Sequence, residues 1–241
     1  MPDTKREVRW EYLLPKEFQE AVSECPVCYM PLGTLERHGA HLPFGLDGMK
    51  AHGLCMAAAR RHGGVVLPTT HWGTHGWWAE DYRRGDAGKP GAKQPPGSVY
   101  IHEGLLINLL LSMFREVEYA GFKVIVALTG HYPHQQLAAV KNAAAQHMCD
   151  NKAKVWALCE AELSGEVEVG MDHAGKWETS IFWALYPQLV HMERCPDPET
   201  GLFTWCNETA LEASPELGHK TVDYIADQLG TGAARLLKET G

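Results

Sequence analysis

The chain has 241 residues, 45% of them hydrophobic and 22% charged. These are ordinary globular values that exclude a disordered chain and fit one large α/β domain. Its 22 Lys and Arg against 30 Asp and Glu leave a formal charge of −8, which offers no footprint for nucleic acid or an anionic membrane.

No apolar run approaches the roughly 18 residues of a spanning helix. Met1-Pro2-Asp3-Thr4-Lys5-Arg6 leads into no apolar stretch of the secretory kind. After a segment bearing Trp10, Tyr12, Leu13 and Leu14, a first strand is expected from about Val27 to Leu32. A helix follows from about Asp47 to Arg61, closed by Gly63-Gly64. Val65-Val66-Leu67 reads as a strand. Residues 73–97 read as a long irregular insertion rich in Gly, Pro and Trp, the signature of a binding loop, a lid or disorder.

Leu105, Leu106, Leu109, Leu110, Met113, Phe114 and Val117 recur at helical spacing. The apolar run Val124-Ile125-Val126-Ala127-Leu128, bounded by Gly121 and Gly130, reads as a strand buried on both faces. A helix from about His134 to Cys149 and a strand around Val155 to Cys159 come next. One more helix begins near Lys176 and ends before Pro187. The last opens at Ser214-Pro215-Glu216, with a capping Ser, Pro at the first helical position and an acid in the first turn. This alternation predicts a layered α/β domain spanning residues 1–241, with a mainly parallel sheet.

Seven cysteines at scattered spacing suit a reducing, cytoplasmic setting better than a disulfide framework. The single CxxC, Cys25 to Cys28, has no second pair to make a zinc ribbon. Thirteen histidines are more suggestive, since imidazole is the commonest metal ligand. In open α/β sheets ligands bind beyond the carboxyl ends of the strands. Three such ends carry His and carboxylate together: Glu36, Arg37, His38, His41 and Asp47; His131 and His134; and Asp172, His173 and Glu178. Each residue alone has a plainer reading: Asp47 as a helix cap, His131 as a core histidine, Glu178 as an acid complementing a helix dipole. Together they point to a divalent-metal site of nitrogen and oxygen donors, suited to Zn²⁺, Mn²⁺ or Fe²⁺.

The stretch Gly33-Thr34-Leu35-Glu36-Arg37-His38-Gly39-Ala40-His41-Leu42-Pro43, with Asp47 after it, resembles the first signature of the creatininase (creatinine amidohydrolase) family. So do Pro96-Gly97-Ser98, Gly121-Phe122, Gly130-His131, His173-Ala174-Gly175 with Glu178-Thr179-Ser180, and Ala213 to Gly218. The resemblance implies a three-layer α/β/α sandwich, two divalent metal ions per chain and a homo-oligomer, a hexamer in creatininase itself. Carried onto this chain, Glu36 and His131 would hold one metal, His38 the other, and Asp47 both. His173 matches a catalytic proton carrier. Creatinine-hydrolysing members have a Tyr after the histidine, as Tyr132 stands here, and then a Glu that completes the second metal's shell. Pro133 stands in that place and cannot ligate. Glu178 and His134 are the two candidates for the missing ligand, Glu178 favoured because it falls in the first turn of a helix whose N-terminus lies near the site.

The implied chemistry is hydrolysis of an amide or lactam C–N bond in a small polar substrate by a metal-bridging hydroxide. Tyr132, Trp72, Trp77, His75 and Asp172 are the candidate substrate contacts, with Asp172 also a candidate to orient His173. The tryptophans equally suit packing of the insertion. The rival is C–C cleavage of a cyclic polyol ketone on the same metals.

Overall fold

The computed structural model describes residues 6–75, 97–203 and 205–240. Its centre is a four-stranded, wholly parallel sheet. The strands are β1 (Val27–Leu32), β2 (Val65–Val66), β5 (Val124–Thr129) and β6 (Lys154–Cys159), in the spatial order β2-β1-β5-β6. Val27 faces Val124, and Leu32 faces Thr129. On the other side Val124 faces Lys154 and Thr129 faces Cys159. The two central strands are apolar runs buried at every position, which is what helices on both faces of a parallel sheet require. β6 is only partly buried at three of its six positions, as suits a border strand.

The odd and even residues of each strand feed two separate cores. Val27, Tyr29, Val124, Val126 and Leu128 pack under α2 (Leu46–His62), α5 (Lys176–Leu185) and α6 (Pro215–Lys238). Cys28, Met30, Leu32, Ile125 and Ala127 pack under α1 (Pro15–Glu24), α3 (Glu103–Tyr119) and α4 (His134–Asp150). This is a three-layer α/β/α sandwich. Each fully buried Val, Leu or Ile contributes about 1.5–3 kcal/mol. Cys28 lies inside the second core as a small hydrophobe, and none of the described cysteines is in a disulfide.

Two elements differ from expectation. Helix α1, which the sequence reading does not assign, has only one buried residue, Ala21, but Phe18 and Val22 pack beside it against the second core. Pro15 opens it, and Trp10 stacks on its Phe18 at 4.6 Å. The irregular stretch expected over 73–97 begins as a strand: β3 (Gly73–Thr74) pairs in parallel with β4 (Tyr100–Ile101). Residues 76–96, with Trp77, lie outside the described residues. Among the described residues no helix is long and apolar enough to cross a membrane.

Candidate metal centre

All four sheet strands end on the same side, and the paired ends of β1 and β5 continue into Gly33 and Gly130. The first turn of α2 rests directly on these two glycines. A Cβ on Gly33 would come within 2.1 Å of the Gly48 nitrogen, and one on Gly130 within 2.2 Å of the Asp47 carbonyl oxygen. No other residue permits that approach. It places Asp47, in the first turn of α2, between the loop that follows β1 and the loop that follows β5.

The two oxygens of Asp47 face different partners. Oδ2 lies 3.0 Å from His131 Nδ1, which is itself 3.2 Å from Glu36 Oε2. Oδ1 lies 3.1 Å from His38 Nε2, which is 3.6 Å from Glu178 Oε2. Two donor groups result, Glu36–Asp47–His131 and His38–Asp47–Glu178, each with its ligating atoms within 4.8 Å of one another. They share Asp47, and all five side chains are buried.

Each imidazole is oriented through its other nitrogen. His38 Nδ1 bonds the Glu36 carbonyl at 3.0 Å, and His131 Nε2 bonds the Thr74 carbonyl at 2.8 Å. A carbonyl accepts only, so those nitrogens carry the protons of the neutral rings. The lone pairs of His38 Nε2 and His131 Nδ1 then point at carboxylate oxygens, acceptor toward acceptor. His38 Nε2 and Asp47 Oδ2 are buried without a hydrogen-bond partner, close as their neighbours are. Such an arrangement calls for a cation, or a proton, at each convergence point, and fixing the second ring nitrogen on a carbonyl is the usual support of a ligating histidine. Tyr100 adds to this by donating its hydroxyl to Glu36 Oε1 at 2.8 Å.

The charge count points the same way. Every buried Asp, Glu, Lys or Arg among the described residues belongs to this cluster: Glu36, Asp47, Glu160 and Glu178 against Lys50. Four carboxylates face one ammonium, a balance that a dry interior does not tolerate. Without a metal, protons on the two imidazoles offset part of the excess. Burial opposes the charge on His38, but Asp47 outweighs it, with help from Glu178 and Glu36, and pushes the pKa up to about 9. Burial likewise opposes His131, and Glu36 and Asp47 push it up to about 10. Against its own desolvation, Glu36 is held down to about 2 by His131.

Glu178 sits in the first turn of α5, as expected, but it does more than complement the helix dipole. Its Oε1 accepts from Lys50 Nζ at 2.6 Å and its Oε2 from the Ala174 amide at 2.8 Å. Lys50 also pairs with Glu160, the residue after β6. His134, the other candidate ligand, is exposed at the start of α4 and joins no donor group.

His173 borders the centre and keeps 41% of its side chain exposed. Its ring stacks on His38 with centroids 4.5 Å apart, and its Nδ1 is 4.0 Å from Glu36 Oε2. The orienting partner is the Arg37 carbonyl, 2.9 Å from Nε2. Asp172 was expected in that role, but its oxygens accept from the Trp177 and Glu178 amides and so cap α5. The Tyr132 hydroxyl donates to the Asp172 carbonyl at 2.8 Å, bracing the segment that carries His173.

A cavity of about 270 Å³ opens over the cluster, lined by Glu36, Asp47, His131, Tyr132, Asp172 and His173 among others. Trp72, expected as a substrate contact, is 51% exposed and is not part of that lining. His75 is not part of that lining either; its ring is edge-on to Tyr100. Lys50, Glu160, Tyr100 and Thr74 escaped the sequence reading.

Paired carboxylate–imidazole groups sharing one aspartate, at the strand ends of a parallel α/β/α sheet, define a metal-dependent hydrolase. The family model for creatininase, creatinine amidohydrolase, matches residues 11–231, and the chain belongs to that family of amidohydrolases. It is 27% identical over 203 residues to creatinine amidohydrolase of Pseudomonas putida, covering 78% of this chain and 74% of that protein. It is 24% identical over 206 residues to 3-dehydro-scyllo-inosose hydrolase of Thermotoga maritima, covering 80% of this chain and 60% of the other. A manganese form of creatininase superposes with a TM-score of 0.75 at 21% identity, over 94% of this chain and 97% of that one. A zinc–zinc variant form superposes at 0.73 and 22% identity, over 95% and 97%.

Proposed function

We propose that this enzyme hydrolyses an amide- or lactam-type C–N bond of a small polar substrate with two divalent cations, Zn²⁺, Mn²⁺ or Fe²⁺. The observation that carries the reading is the pair of donor groups sharing Asp47 beneath a cavity that His173 borders. Glu36, Asp47 and His131 would hold one cation, and His38, Asp47 and Glu178 the other. When bound, such a pair supplies Lewis acidity and a nucleophilic water at neutral pH. Glu178 stands in for the ligand that Pro133 cannot provide. A cavity of about 270 Å³ limits the substrate to a compact molecule.

His173 Nε2 is committed to the Arg37 carbonyl, so Nδ1 is the atom that holds or passes a proton to the leaving group. His173→Ala is expected to keep its full metal content and lose roughly 10²–10⁴-fold in kcat, the usual share of general acid–base catalysis. Loss of metal on that substitution would make His173 a ligand. Glu178→Gln is expected to lose one of two ions and most activity, while His134→Ala keeps both. Full occupancy in Glu178→Gln would sink the assignment.

Metal loading should also release protons. With pKa values of about 9 and about 10, both His38 and His131 are protonated at pH 7 in the metal-free chain. A cation takes their lone pairs, so uptake at this centre expels about two protons and affinity rises with pH. The imidazolium–carboxylate pairs stabilise the metal-free fold fully below the ordinary imidazole value of 6.5 and fade as pH rises through 9 and 10. Titration calorimetry in buffers of different ionisation enthalpy measures this, and a buffer-independent heat would refute it.

The second reading keeps the metals and cleaves a C–C bond of a cyclic polyol ketone. The relation to the inosose hydrolase favours it. A panel of lactams and formamides beside diketo-polyols separates the two: turnover confined to the polyols would overturn the amide reading.

A further inference from the structure

A second, chemically different group of metal donors lies behind the first loop. His41 follows the metal-signature residues, but its ring nitrogens join neither donor group of the carboxylate cluster. Its Nε2 contacts Thr179 Oγ1 at 3.2 Å. Its Nδ1 is buried with no hydrogen-bond partner, on a residue only 1% exposed. A Cβ built on Gly39 would lie 2.7 Å from that Nδ1 and 3.1 Å from Cys206 Cβ, so the nitrogen faces Cys206 across the glycine. Cys195 completes the group: a ring nitrogen of His41 and the two sulfurs all lie within 4.8 Å of one another. Both cysteines are free thiols, Cys195 buried and Cys206 half-buried.

We propose that His41, Cys195 and Cys206 form a structural zinc site, separate from the carboxylate–histidine centre. Two thiolates and an imidazole suit a borderline-soft ion such as Zn²⁺, whereas the oxygen-rich centre beside it suits harder ones. On binding, the two thiols give up their protons to solvent. One Zn²⁺ and two thiolates then sum to zero charge, which a buried site accepts. Water takes the fourth position from the half-buried side of Cys206. A disulfide would use both sulfurs but leave His41 Nδ1 orphaned; the metal satisfies all three groups.

The site would fasten the chain around Cys195 and Cys206 onto the catalytic loops. Backbone bonds already run from His191 N to His41 O at 2.9 Å, from Gly39 N to Trp205 O at 2.7 Å and from Asn207 N to His173 O at 2.9 Å. Arg37, whose carbonyl orients His173, approaches Asp197 at 4.0 Å. The zinc therefore acts on catalysis only by holding these segments in place.

Cobalt gives the test. The carboxylate–histidine centre has no sulfur donor, so thiolate-to-cobalt charge transfer in the near ultraviolet reports this site alone. The full-length protein loaded with Co²⁺ is expected to show that absorption, and Cys195→Ser and Cys206→Ser to lose it along with about one metal per chain. Should the serine variants fail to fold, alkylation of the unmodified protein decides: Zn²⁺ is expected to protect Cys195 and Cys206 together. Absence of the band, equal alkylation with and without Zn²⁺, or a Cys195–Cys206 disulfide in freshly purified protein would each overturn the proposal. None of these readouts depends on the substrate or on the reaction proposed above.

Discussion

Asp47→Ala is expected to lose metal from both halves of the centre at once and to lower kcat by about 10³-fold or more. A metal pair contributes several kcal/mol of charge stabilisation, and each 1.36 kcal/mol is about tenfold in rate. The reason lies in geometry: one oxygen faces His131 and the other His38, at 3.0 and 3.1 Å. Replacing Glu36 or Glu178 removes a donor from one group, whereas replacing Asp47 removes one from both. Thermal unfolding supplies a second measure. A ligand that binds only the folded state raises its stability with concentration, so added metal should raise the Tm of the unmodified protein and a chelator should lower it. The Asp47→Ala protein should lose the share of both responses that comes from this centre, keeping only what the separate His41–Cys195–Cys206 group contributes. Retention of both ions of the carboxylate–histidine centre in that variant would show that Asp47 is not a bridge.

How much of this was legible depended on whether a residue's role coincides with a pattern. Val27–Leu32 and Val124–Thr129 are buried on both faces, so an unbroken apolar run identifies them without any partner. Helix α3 buries Leu106, Leu110, Phe114 and Val117 on one stripe, and the period shows it. The clustering of Glu36, His38, Asp47, His131 and Glu178 was legible because the parallel fold gathers strand ends, and the family signature singles out most of the same residues.

The misses have equally physical causes. A two-residue strand such as Gly73–Thr74 has no period to detect, yet its Thr74 carbonyl orients His131. Tyr100, which braces Glu36, lies 64 positions further along the chain. Asp172 looked like a partner for its neighbour His173, but a carboxylate just before a helix finds the free amides of the first turn closer to hand. Glu160 follows β6 immediately, and extending the strand-end argument by one residue would have found it. Lys50 was harder: a lysine on a helix reads as a solvated position, and nothing local shows that it is completely buried.

That buried lysine leads to the second large effect. Lys50→Met is expected to destabilise the fold by about 3–5 kcal/mol, the cost of breaking a buried ion pair and leaving its partners behind. The shape is kept, so the loss is electrostatic: Lys50 lies between Glu160 and Glu178, all three almost inaccessible to water. Burial already raises the Glu160 pKa, a shift that Lys50 partly offsets. Burial would raise Glu178 too, but Lys50, and then His38, hold it below its ordinary value. Without the ammonium, Glu178 takes up a proton more readily and competes less well for a cation at neutral pH. Metal affinity in Lys50→Met should therefore weaken most at the acidic end of the stable range. Urea unfolding gives the stability change, and a loss under about 1 kcal/mol would place the network outside the energetics of the fold. The double variant Lys50→Met/Glu160→Gln separates charge from packing. If the penalty is an unpaired carboxylate, neutralising Glu160 restores part of the stability, and the two substitutions are strongly non-additive. If the penalty is lost packing, the second substitution restores nothing.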